Sequence, residues 1–199
     1  MKSIYAKRFV FVMVFFSMFS LMACGGPKAK TENEVLQDVI DTGIFKEYIA
    51  NSNTADYTIE IYNRMTTTEE KIDTMEFNIQ LITDFAEINY CDGYIEYNLY
   101  NDGWGVHGTP KGQIRYKPLK DFDDNEIYNF LDTYEQDDGI IGWDWDKLGS
   151  WSTYKIIGKD VGSSQVTYEI EFDGERTRDI TCYFDPIDGT WRISTQWWP

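Results

Sequence analysis

Between Met75 and Leu81 the chain alternates strictly. Met75, Phe77, Ile79 and Leu81 share one parity, and Glu76, Asn78 and Gln80 share the other. Successive side chains of a strand point to opposite faces, so this pattern buries one face and wets the other, as in a half-buried antiparallel strand. The same period recurs in Val166, Tyr168, Ile170 and Phe172, and more briefly in Tyr57, Ile59 and Ile61, in Ile95, Tyr97 and Leu99, and in Ile180, Cys182 and Phe184. Turn chemistry separates these segments. Thr66–Lys71 is polar, and Asp92-Gly93 and Asp173-Gly174 are both hairpin signals, because a type I′ turn needs positive φ at both centres. Asn101-Asp102-Gly103 and Asp185–Gly189 each lead into a tryptophan, Trp104 and Trp191.

Two stretches have helical spacing instead. In Glu34–Ala50, Val35, Leu36, Val39, Ile40 and Ile44 form an apolar stripe, with Thr31 or Asn33 as cap and Gly43 weakening the centre. After Asp121, Ile127, Phe130, Leu131 and Tyr134 line a second helix. Asp123 or Asn125 caps it, and Asp124 and Glu126 suit its dipole in the first turn. Residues 136–150 are irregular and rich in Gly and Trp. The order helix, three strands, Asp-Gly turn, Trp thus occurs twice, with Tyr97–Trp104 paralleling Cys182–Trp191. The competing reading is one larger meandering sheet with two helices.

A helix followed by a curled antiparallel sheet ending in an Asp-Gly-Trp hairpin resembles the cystatin-like or NTF2-like modules of small bacterial surface lipoproteins. That resemblance implies an α+β fold of two tandem units, each one helix packed on a curled antiparallel sheet, over residues 34–119 and 120–199. It brings no catalytic residue with it.

The first 23 residues read differently. Lys2, Lys7 and Arg8 make a basic start, and Phe9–Met22 is an apolar run. Its length is near the roughly 7–15 residues of a signal peptide and short of the roughly 20 that span a bilayer. It closes on Leu21-Met22-Ala23-Cys24, with Leu at the third position before the cysteine and a small residue just before it. This resembles the lipobox of bacterial prolipoproteins. The resemblance implies cleavage after Ala23, a diacylglycerol on the Cys24 thiol, and a mature chain held at the extracytoplasmic face of a membrane. Two acyl chains anchor stably where one is marginal. An ordinary secretory signal or an uncleaved anchor helix is the alternative. Residues 24–33, small and polar with no apolar period, then form a tether.

Charge narrows the partners. The chain carries a formal −16, and loss of the three basic residues with the signal takes it to −19. Such a surface repels phosphate backbones and anionic lipid, so nucleic acid is excluded as a partner and a covalent tether is needed at a membrane. With Cys24 acylated, Cys91 and Cys182 remain, either as a bridge or as two separate thiols.

No catalytic or cofactor motif stands out. His107 is the only histidine and sits in a Gly-rich turn; with two distant cysteines it gives no zinc spacing. Asp121, Asp123, Asn125 and Asp132 imitate part of a calcium loop, but Glu126 stands where the sharp turn needs glycine, and helix capping explains the same residues. The most distinctive cluster is aromatic and acidic: Trp143, Asp144, Trp145 and Trp151 form a candidate ligand patch, with packing of the long loop as the competing role. The expected function is therefore non-catalytic binding at the cell surface, toward a glycan or an envelope protein. The alternatives are a glycan- or envelope-directed hydrolase using paired carboxylates and a structural subunit of an envelope complex.

Overall fold

The computed structural model describes residues 28–67, 69–134 and 148–195. Helix α1 spans Glu32–Asp41 and α2 Lys46–Ile49. The first sheet holds β1 Asp56–Thr67, β2 Ile72–Ile82, β3 Ala86–Tyr100, β4 Gly103–Val106 and β5 Lys111–Pro118. Helix α3, Asp124–Thr133, precedes the second sheet of β6 Tyr154–Val161, β7 Gln165–Phe172, β8 Arg176–Asp185 and β9 Thr190–Ser194. Every strand pairing is antiparallel. The first sheet runs β1-β2-β3, with β4 and β5 lying end to end along the far edge of β3, and the second runs β6-β7-β8-β9.

The expected α+β fold, two units each of one helix on a curled sheet, is corrected. Strands hold 53% of the described residues and helices 16%, so the fold is β-rich, built from two antiparallel sheets. Two local causes account for the shift. The stripe of Glu34–Ala50 does not run as one helix: Gly43 takes φ +81 and ends α1, leaving α2 a single turn. The strands run further than their turn signals suggest. Asp92-Gly93 makes no hairpin. It sits inside β3, 15 residues long, as a bulge: Phe77 faces Gly93 and Ile79 faces Tyr90, so Cys91 and Asp92 together oppose Asn78. Asp173-Gly174 does turn β7 into β8, with φ +54 and +72.

The alternating rows are the cores. Met75, Phe77, Ile79 and Leu81 of β2 are all buried, and Val35 and Val39 of α1 and Phe45 close over them. Val166, Tyr168, Ile170 and Phe172 of β7 form the second core with Ile127 and Leu131 of α3 and with Trp151. At roughly 25 cal/mol per Å² of apolar surface, these rows supply the main drive to fold. Trp191 packs against both cores, and Phe184 of β8 belongs to the first.

The sheets meet at one end of the first. Tyr116 lies 6.4 Å from Phe184, and the Asn51 side-chain amide donates to the Ile187 carbonyl at 3.3 Å. Phe85 covers Gly189, where a Cβ would stand 2.4 Å from the ring and φ is +73. All three partners from the first sheet lie where β1 begins, β2 ends and β3 begins. The opposite end carries the β1–β2 and β3–β4 turns.

Candidate functional site

The connector from β5 to α3 crosses the junction of the sheets and leaves a cleft of about 260 Å³. Lys117 and Pro118 form one lip, Lys159, Val161 and Ser163 the other, and Phe122 and Trp191 lie between them. Local sequence builds each wall. Pro118 has no amide to donate and ends β5. Asp123 caps α3 by accepting the Asn125 amide at 2.9 Å, which sets Phe122 just outside the helix and against Trp191, ring centroids 5.4 Å apart. The capping reading of the acidic run therefore holds for Asp123. The Trp191 indole N–H donates to the Lys120 carbonyl at 3.2 Å, which fixes the ring in the floor.

A polar knot stands behind the second lip. Lys159 Nζ lies 2.6 Å from Asp124 Oδ1, and the Tyr168 hydroxyl donates to the same oxygen at 2.6 Å. These contacts, that of Lys159 foremost, hold the Asp124 carboxyl below its usual range, and burial followed by the Asp124 contact pushes the Tyr168 hydroxyl up. Lys117 lines the same cleft, Lys159 is already paired with Asp124, and Asp121 adds a carboxylate to the lining. The apolar surface of Phe122 and Trp191 suits a ligand with an apolar or aromatic body.

The candidate patch from sequence divides. Trp151 is 9% exposed, its ring stacked on Tyr134 at 5.5 Å and 4.8 Å from Phe172, so its described surroundings are those of a core residue. Trp143, Asp144 and Trp145 lie outside the described residues, as does Cys24. His107 is exposed, with Glu96 Oε1 at 3.9 Å from Nε2. Asp132 accepts the Tyr154 hydroxyl at 2.8 Å. Among the described residues no group of three or more His, Cys, Asp or Glu is placed to hold a metal. The Cys91–Cys182 bridge does not form. Both thiols are free, on β3 and β8 of different sheets, and burial raises that of Cys182 to about 12.

A second polar cluster, at the far end of the first sheet, was not foreseen. Asp73 is fully buried, and Arg64 clasps it, with Nε to Oδ1 at 3.1 Å and Nη2 to Oδ2 at 2.5 Å. The Thr66 hydroxyl adds a donor at 2.8 Å. Arg64 Nη1 also donates to the Lys30 carbonyl at 2.8 Å, while Lys30 Nζ pairs with Asp38 at 3.0 Å and lies 5.7 Å above the Tyr97 ring. The signal was available: Asp73 falls on the parity of Met75 and Phe77, an acid in phase with the buried row.

Comparison with protein families, with curated proteins and with solved structures finds no match to this chain.

Proposed function

We propose that the protein is a lipoprotein of the extracytoplasmic membrane face that binds, without catalysis, an anionic partner at the cleft between its sheets. One observation carries the reading: the lipobox Leu21–Cys24 behind a basic start and a short apolar run. The charge agrees with it, because a mature chain this acidic needs a covalent hold to stay at an anionic membrane. The cleft supports the binding half. Lys117 and Lys159 are the cations of a lining that also holds Asp121, an anionic ligand would compete with Asp124 for Lys159, and Trp191 and Phe122 give its apolar body a surface to rest on.

Mass spectrometry of the membrane fraction tests the anchor. The expected N-terminal peptide begins at Cys24 and carries acyl chains, and Cys24→Ala loses both the acyl mass and membrane retention. A Cys24→Ala protein still acylated and retained overturns the anchor. For the cleft, anilinonaphthalene sulfonate is a suitable anionic aromatic probe. Lys159→Glu should weaken its binding to the native protein, and unchanged binding removes the cleft from the reading.

A further inference from the structure

Resting on the proposed acylation of Cys24, we infer that the protein stands on the bilayer through the β1–β2 and β3–β4 end of its first sheet. Met65 and Tyr100 meet the lipid headgroups there, and the second sheet and cleft point away. Lys30 fixes the chain through its carbonyl on Arg64 of β1 and its ammonium on Asp38 of α1. The next residue, Thr31, begins α1 in a capping box, its hydroxyl accepting the Glu34 amide at 3.3 Å and its amide donating to the Glu34 carboxylate at 2.7 Å. From Cys24 to Lys30 the chain takes six steps. Fully extended they reach about 20 Å. Arg64 pairs with Met75 near the β1–β2 turn, so the acylated residue cannot stray far from this end.

Met65, Tyr100 and Val106 are exposed large apolar side chains near the two turns, between 37% and 62% accessible, and Tyr62 and Tyr94 lie exposed at mid-strand, level with Glu76. At the other end Ile82 and Leu119, which follows β5 and donates its amide to the Phe85 carbonyl, are exposed, and neither is a tyrosine. Tyrosine suits the headgroup layer, where its ring meets acyl chains and its hydroxyl meets water. Glu69 and Glu70 in the β1–β2 turn oppose deep insertion into anionic lipid, so the contact is shallow and the acyl chains supply the hold.

The second sheet is joined to the opposite end through Phe85, Tyr116 and Asn51. Strand β2, with 11 residues, separates the two ends. At about 3.3 Å per residue that is about 35 Å, enough to lift the cleft clear of the headgroups.

Depth-dependent quenching tests the orientation. The acylated protein is placed in phosphatidylcholine vesicles with a minor share of phosphatidylglycerol and a nitroxide-headgroup quencher. A fluorophore is attached at Met65→Cys or at Ser163→Cys, each in a Cys91→Ser background. Quenching at position 65 should exceed that at position 163 by about threefold or more, given the roughly 35 Å between the two ends. Inserting about twenty Gly-Ser residues between Ala29 and Lys30, a flexible span of about 25 Å, should erase the difference. Equal or reversed quenching in the native-length protein overturns the orientation. A position-65 label shielded from water yet unquenched by lipid overturns it too, in favour of a second protein copy at that surface. Mass spectrometry of the same sample separates the two failures, because a sample without acyl chains on Cys24 refutes the anchor and not the orientation.

Discussion

The two sheets use one device at matching places. In the first, Asp84 stands in the β2–β3 turn and accepts the backbone amide of Asn53, at 2.7 Å, just before β1. In the second, Asp173 stands in the β7–β8 turn and accepts the amides of Ser152 and Thr153, at 2.8 and 2.9 Å, just before β6. In each, a carboxylate between the second and third strands grips the chain entering the first. The fourth strands also correspond, for Trp104 faces Leu99 and Trp191 faces Phe184 directly after the turn. The sheets part company in length and in where they bury charge. Strand β3 has 15 residues against 10 for β8. The first sheet seals a carboxylate beneath Arg64 at the end where Lys30 enters, whereas the second keeps its ion pair near the surface beside the cleft. A shared scheme has thus been adapted to different ends, one holding the chain and one leaving room.

The largest effect should come from that difference in burial. Arg64→Met leaves Asp73, with no accessible side-chain surface, without its counter-charge and with the Thr66 hydroxyl as its remaining side-chain donor. Breaking a buried pair from one side costs about 3 kcal/mol or more. Lys159→Met removes the corresponding cation from a pair 37% and 53% exposed. Solvent already screens that pair, so the loss should stay below about 1 kcal/mol. Urea unfolding of both variants measures the gap, and equal costs would mean that Asp73 is no more committed to its partner than Asp124 is.

The two Asp-Gly pairs give a smaller contrast. Asp92 alone takes positive φ, +53, and Asn78 Oδ1 accepts its freed amide at 3.1 Å. A Cβ on Gly93 would meet the Phe77 ring at 2.6 Å and the Phe77 carbonyl at 2.7 Å, so the bulge closes tightly over the core. Gly174 has φ +72 and open space around its missing Cβ. Gly174→Ala should therefore cost only left-handed strain, about 1 kcal/mol. Gly93→Ala should cost about 2–3 kcal/mol through overpacking. Thermal unfolding ranks them, and the reverse order would show that Phe77 yields easily.

These pairs also mark how far the chain could be read. Period two identified the buried rows of β2 and β7 residue by residue, because a pleated strand has one phase and a slip would expose the whole row. The Asp-Gly dipeptide does not say which of two structures it builds. A bulge and a type I′ turn both want a left-handed residue beside glycine, and only the partners, Asn78 on one side and β5 on the other, decide. Gly43 was legible as a weak point but not as a terminus, since breaking the stripe depends on Phe45 finding the core. The cleft was not legible at all. Lys117, Phe122, Lys159 and Trp191 come from four segments that only the docking of the sheets brings together.

The smallest effect tests whether the two grips are one device. Hydrogen bonds from Thr54 and Asn53 hold the Asp84 carboxyl below its ordinary 3.8, and those from the Thr153 and Ser152 amides do the same for Asp173. A carboxylate lowered in the folded state stabilises the fold at pH values above its unfolded pKa. It loses that contribution as pH falls through the lowered folded value. Asp84→Asn and Asp173→Asn should therefore each lower Tm at pH 7, and each deficit should close as the wild-type carboxyl is protonated below about pH 3.8. Matching curves would establish the same electrostatic grip in both sheets. A deficit that persists unchanged into acid for one variant would show that its turn is held by the shape of the side chain, and the correspondence between the sheets would then end at the backbone.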